Sequence, residues 1–162
     1  MCIRDSISSG DLFRGLGIQN PLRETFLKYA GRGELVPDEP SIGLVQDDIE
    51  NRTRNGTFQP ETDTLLLDGI PRNVAQAQLL DDYLNVVGVL NLFCKDIDIM
   101  VERLQARALR ENRLDDANLE TIRNRLEVYK AETRPVLDHY GDDISYTIDS
   151  TQTPVRVLRD VL

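Results

Sequence analysis

A chain of 162 residues with 19 basic side chains against 28 acidic ones, a net charge of −9, has room for one domain with a sizeable core. The acidic surplus argues against a polymeric nucleic-acid partner, since phosphate backbones call for more Lys and Arg than acids, so any phosphate bound here is small. Two cysteines, Cys2 and Cys94, and the single His139 cannot build a structural zinc site or a disulfide framework. With no apolar run long enough to span a bilayer and no signal-peptide core at the start, a reducing cytoplasm is the expected home.

The opening residues, Met1 to Ser6, neither alternate nor repeat with a helical period and look like a leader foreign to the rest. From Ile7 the pattern becomes readable: a short extended piece, Ile7-Ser8, then Ser9-Gly10-Asp11 opening a helix with Leu12 and Phe13 inside. A second helix carries Leu22, Phe26 and Leu27 and stops at Gly31-Arg32-Gly33. Leu35 to Glu39 turns into a third, with Ile42, Val45 and Ile49 on its inner face, and the polar stretch Asn51 to Thr62 reads as a loop or small hairpin.

Leu65-Leu66-Leu67-Asp68-Gly69-Ile70-Pro71-Arg72 is the densest signal. Three leucines bounded by turn residues predict a parallel strand covered on both faces, and Asp68 and Arg72 fall where such a strand leaves the core, the place where open α/β sheets bind ligands. An acid there can hold magnesium, and a guanidinium grips phosphate oxygens in pairs. A strand, a turn and a surface arginine would read the same way.

Asn73, with Gln76 three residues on, is a capping box opening a helix with Leu79, Leu80 and Leu84. Val86 to Phe93 is the next buried strand. In the following helix Met100, Val101, Leu104 and Ala108 share one face, with Arg103, Arg107 and Arg110 on its flank, a row that is usually solvated. Asp115 or Asp116 caps another helix that turns Leu119, Ile122, Leu126 and Tyr129 inward. Tyr146 to Asp149 is a last strand, and Thr153-Pro154 starts the terminal helix. Strands alternating with helices give an α/β fold with a doubly wound parallel sheet.

Six pieces occur in an order that resembles the adenylate kinases: Ser8-Ser9-Gly10-Asp11-Leu12-Phe13-Arg14, Gly33-Glu34-Leu35-Val36-Pro37-Asp38-Glu39, Asp68-Gly69-Ile70-Pro71-Arg72-Asn73, Arg103 with Arg107, Arg113 with Asp115-Asp116, and Arg123 with Arg125-Leu126. The resemblance covers Ile7 to Leu162. It implies a P-loop-NTPase-like three-layer parallel sheet with helices on both faces, and phosphoryl transfer from ATP to AMP with Mg2+ on the triphosphate. An AMP-binding subdomain is expected at about 8–38 and a short lid at about 107–113, the rest being core. A lid that short, without four Cys, His or Asp ligands, cannot be the zinc-bearing variant.

Carried over by position, the resemblance implies an AMP pocket of Ser9, Arg14, Glu34, Leu35, Val36, Gly69, Ile70, Pro71, Arg72 and Gln76, with Arg113 and Arg125 joining it on closure. Arg103, Arg107 and Gln152 match the ATP side. Arg72, Arg107, Arg113, Arg125 and Asp68 would carry the chemistry, Asp68 holding magnesium through water. Arginines suit phosphoryl transfer because the protein's part is positioning and charge neutralisation. Rival structural roles exist: Gln76 as a capping-box partner, Ser9 as a helix cap, Arg14 and Arg72 as solvated surface groups, Arg103 and Arg107 as an exposed stripe, Asp115 and Asp116 as caps.

One departure from the family pattern stands out. No Gly-Lys pair occurs, since Lys28 follows Leu27, Lys95 follows Cys94 and Lys130 follows Tyr129, so the phosphate loop Gly-x-x-x-x-Gly-Lys is absent from this sequence. The strand before that loop, central in the family's sheet, is absent with it, a piece of roughly 25 residues. The expectation is an adenylate kinase fragment at 7–162 that lacks its central first strand and is inactive in transfer. A kinase for UMP or CMP, or a binding-only protein that keeps the AMP pocket, are the alternatives; Ser9 and Gln76 favour AMP. A monomer with small nucleotides as its only partners is expected.

Overall fold

The computed structural model describes residues 3–111 and 118–162. Four strands and eight α-helices alternate along it: β1 Ile3–Ser8, α1 Ser9–Gly15, α2 Pro21–Ala30, α3 Asp38–Arg54, β2 Thr64–Asp68, α4 Val74–Asp81, β3 Val89–Phe93, α5 Ile97–Glu111, α6 Leu119–Val128, α7 Pro135–Tyr140, β4 Ser145–Asp149 and α8 Pro154–Val161. All strand pairing among them is parallel, as the alternation demands, but it falls into two separate ladders. β1 pairs with β2, and β3 with β4.

That division is what the loss of a central strand leaves: among the described residues no strand pairs with both the one around Leu66 and the one around Leu92. It also corrects the reading of three leucines as covered on both faces. Leu65 and Leu67 pack on a core of Ile7, Ile42, Val45, Ile49, Phe58, Ile70 and Leu80. Leu66 points the other way, as the period of two requires, and is 44% exposed. Leu92 on β3 is 53% exposed for the same reason.

The core forms where helical spacing meets the covered face of β1 and β2. Ile42, Val45 and Ile49 repeat along α3 at the spacing of one helical stripe and are all buried. Leu80, on α4, is 1% exposed, and truncation of a side chain so enclosed costs about 2–5 kcal/mol. α2 docks through Phe26, whose ring stacks on Phe13 of α1 at 5.1 Å.

Several expected details differ. Leu27 lies outside the stripe set by Phe26 and is exposed; Leu79 and Leu119 are exposed likewise, and Tyr129 is drawn outward to donate its hydroxyl to Asn91 Oδ1 at 3.1 Å. α3 runs on to Arg54, and turns rather than a hairpin follow it, with Phe58 plugged into the core. Residues 3–6 form the first part of β1, beside Thr64 to Leu66, with a register shift between Ile3 and Asp5. β3 begins at Val89, three residues later than Val86. α6 is capped by Asn118, whose side chain accepts from the Thr121 N–H at 2.7 Å. Asp115 and Asp116, proposed as caps, lie outside the described residues, as does Arg113.

Between α6 and α7 the helix widens into a π-helical turn, Tyr129–Thr133, a feature frequent at functional sites. Here it delivers Thr133, whose hydroxyl donates to the Arg72 carbonyl at 2.7 Å. α8 buries none of its residues, although Val155 and Leu158 give it an apolar side.

Candidate functional site

The site grows from the turn after β2. Gly69 has a φ of +73°, a conformation natural to glycine, and the following Ile70–Pro71 peptide is cis. The turn presents the Gly69 carbonyl to two donors, the Ser9 hydroxyl and Arg72 Nε, each at 2.8 Å. Ser9 is therefore no helix cap: Ser8 occupies that position, and the Ser9 side chain ties the start of α1 to the end of β2. A Cβ at position 69 would lie 3.0 Å from Ser9 Oγ and 3.1 Å from Arg72 Nη2, so glycine also makes room for this triad.

Arg72 is the hub. The half-buried guanidinium is held below the usual arginine value, first by burial, then by the positive charges of Arg125, Arg14 and Arg107, with Asp68 alone opposing them. Guanidiniums from α1, α5 and α6 thus lie near enough for their charges to bear on the one that follows β2. Like charges so placed repel unless an anion joins them, and a phosphoryl group offers the oxygens to do so. Arg14, whose guanidinium lies over Gly10, also pairs with Asp11 at 2.6 Å.

Beside this cluster lies an open cleft of about 380 Å³ lined by Glu34, Leu35, Val36, Asp38, Asn73 and Glu132, with the Tyr29 ring and Val128 among its walls. Glu34, Leu35 and Val36 were expected there; Tyr29, Val128 and Glu132 were not, because nothing local in their sequence marks them, and Asn73 was marked only as a helix cap. Ile70 is buried in the core and shapes the turn from beneath. Gln76 is buried, stands outside the lining of this cleft, and keeps half of the capping box. Its N–H donates to Asn73 Oδ1, as a cap requires, but its side chain accepts from the Arg72 N–H and donates to Asp38 Oδ1, each at 2.8 Å. Those bonds fix the amide orientation, and leave one N–H and one carbonyl lone pair over.

Arg103 and Arg107 line a second, smaller cleft of about 230 Å³ with Leu92, Cys94, Met100 and Ser150. Arg103 is pinned by the Ser150 carbonyl at 2.6 Å. The expected arginine row therefore divides: two members face the cleft, while Arg110 pairs with Glu111 in solvent. Gln152 donates to the Asp149 carbonyl and to Asp160 and is not among the residues lining this cleft.

A parallel α/β scaffold that gathers arginines beside two clefts at strand ends defines a protein for handling small phosphorylated ligands. Comparison with known proteins makes this specific. The family model described as adenylate kinase matches residues 3–144. Among similar proteins, an adenylate kinase of Synechococcus sp. is 40% identical over 140 residues, covering 83% of this chain and 68% of the relative. One from Corynebacterium aurimucosum is 41% identical over 144 residues, 85% of this chain and 72% of the relative. One from Streptomyces coelicolor is 34% identical over 190 residues, 96% and 84% respectively. The chain belongs to the adenylate kinase family, whose members are phosphotransferases.

Proposed function

We propose that the 380 Å³ cleft takes the base of AMP and that Arg14, Arg72 and Arg125 take its phosphate, with Arg107 reaching the same point from the ATP side. The cleft lined by Glu34, Leu35 and Val36, and by Asn73 next to an Arg72 on which the charges of Arg125, Arg14 and Arg107 bear, carries the reading. In this assignment Ser9, Gly69, Ile70 and Pro71 shape the turn under the phosphate, Glu34, Leu35 and Val36 line the base cleft, and Gln76 offers its remaining donor and acceptor to the adenine edge. Arg103, Arg107 and Gln152 serve ATP, and Arg113 joins on closure. The reaction is phosphoryl transfer from ATP to AMP, with the arginines neutralising charge on the moving group.

Magnesium fits this site only as a companion of the nucleotide. Among the described residues no group of three His, Cys, Asp or Glu side chains could hold a metal, whereas Asp68 stands exposed at the end of β2. Asp68 would hold the ion through water, with phosphate oxygens supplying most other ligands. Because the sequence contains no phosphate loop, this chain by itself binds AMP without transferring phosphate. On its likeness to the family we assign it to the cytoplasm as a monomer. No helix among the described residues is long and apolar enough to cross a membrane.

Calorimetric titration with AMP, UMP and CMP tests the pocket, and a coupled ADP assay tests transfer. AMP is expected to bind most tightly. Equal affinities would transfer the assignment to a pyrimidine or unspecialised site, and turnover within about a hundredfold of an intact family member would show that the phosphate loop is dispensable.

A further inference from the structure

Helix α6 grips the end of α2 next to the segment that lines the base cleft. The carbonyls of Gly31 and Arg32 lie past the last turn of α2, where main-chain acceptors lack helical partners. Two side chains of α6 supply the missing donors: Thr121 Oγ1 to the Gly31 carbonyl at 3.1 Å, and Asn124 Nδ2 to the Arg32 carbonyl at 2.6 Å. Between them Gly33 sits against the α6 backbone with a φ of +71°. A Cβ there would come within 2.5 Å of the Thr121 carbonyl oxygen, 2.9 Å of Arg125 Cγ and 3.0 Å of the Arg125 nitrogen. Neither backbone could give that much way, so the close approach depends on glycine.

The residues on either side of this contact belong to the two halves of the site. Glu34, Leu35 and Val36, which line the base cleft, follow Gly33 directly. Arg125, one helical turn beyond Thr121, carries the charge that presses most on Arg72. We propose that Thr121 and Asn124 are positioning residues: by clamping the end of α2 to α6 they set Arg125 against Gly33 and so hold its guanidinium at the phosphate position. The inference rests on the assignment of AMP to this site, and extends it to side chains that line neither cleft.

A double-mutant cycle on the full chain, read by calorimetric AMP affinity, tests it. Asn124 is exposed, so Asn124→Ala is expected to keep the circular dichroism of the parent while weakening AMP about tenfold, the scale of one hydrogen bond's positioning. Thr121→Val should do the same, and Thr121→Ser, which retains the donor, should restore affinity. In an Arg125→Ala background both substitutions should change affinity less than about twofold, because the group they position is gone. Equal losses with and without Arg125, or no loss in either, would overturn the clamp while leaving the AMP assignment standing. Failure of the parent chain to bind AMP would overturn both.

Discussion

Ser9 donates its hydroxyl proton to the main-chain carbonyl of Gly69 at 2.8 Å, across 60 residues of sequence. The bond fastens the first turn of α1 to the turn after β2, and Arg72 closes the same carbonyl from the other side. A Cβ at position 69 would press on both donors, 3.0 Å from Ser9 Oγ and 3.1 Å from Arg72 Nη2. Gly69→Ala is therefore expected to strain the backbone by about 1–2 kcal/mol and to displace the Arg72 fork as well. Gly56 makes the control, with a φ of +71° and nothing within 4 Å of a built Cβ. Both substitutions should lower stability, but only Gly69→Ala should weaken AMP in calorimetry. Matching AMP affinities in the two variants would show that the triad around Gly69 does not shape the phosphate site.

Arg72→Ala removes the hub of the arginine cluster and is expected to weaken AMP by about 1.5–3 kcal/mol, the range of charge-assisted hydrogen bonds. Arg110→Ala removes an equal charge from α5, where the guanidinium pairs with Glu111 in solvent, and should change AMP affinity little. The contrast separates a local anion site from general attraction by positive charge. Losses of similar size in both variants would favour the latter.

The tyrosines supply a pH test. Burial raises the Tyr140 hydroxyl above its ordinary value, helped by the charge of Asp81, and Tyr129 is raised by burial as well. A phenol raised on folding keeps its proton longer in the folded chain, so its contribution to stability is complete below the unfolded value of about 10 and is lost as pH climbs toward the folded one. Alkaline titration should show phenolate absorbance lagging behind the same chain in strong denaturant. Tyr140→Phe should flatten the alkaline loss of ellipticity. Superimposed titrations of folded and denatured chain would contradict the burial of this ring.

How much of the site was legible in the sequence depended on whether its contacts run through side-chain patterns or through the main chain. Asp68 and Arg72 announced themselves by ending an apolar run, and Asn73 with Gln76 by a three-residue spacing, since both signals are local. Thr133, Thr121 and Asn124 act on carbonyls 61, 90 and 92 residues away, and a carbonyl leaves no trace in a residue pattern. The partner of Gln76 was half visible: the cap to Asn73 follows from spacing, whereas the bond to Asp38 needs α3 brought beside α4. Strand ends were harder still. Nothing in Val86 to Gly88 distinguishes it from strand, and pairing with Ser145 sets where β3 begins.

The last prediction concerns the two ladders. β2 hydrogen-bonds only to β1 and β3 only to β4 among the described strands, while Leu66, Leu90 and Leu92 stand 44, 43 and 53% exposed. Open strand edges and leucines left in water withhold the ladder bonds and the apolar burial of a joined sheet, about 25 cal/mol for each Å² of apolar surface left uncovered, against a whole domain stability of about 5–15 kcal/mol. The chain as written is accordingly expected to unfold over a broad range and to bind a hydrophobic dye. Placing a family strand and phosphate loop ahead of Ile3, so that β1 keeps all its residues, should join the ladders into one sheet, cover the leucines and restore both a sharp transition and ADP formation. The same insertion with the loop lysine changed to alanine should restore the transition without the activity, since the strand supplies pairing and the lysine supplies charge at the triphosphate. A sharp, dye-free transition in the unaltered chain would show that the two ladders are already a sufficient core, and that the strand between them matters to catalysis alone.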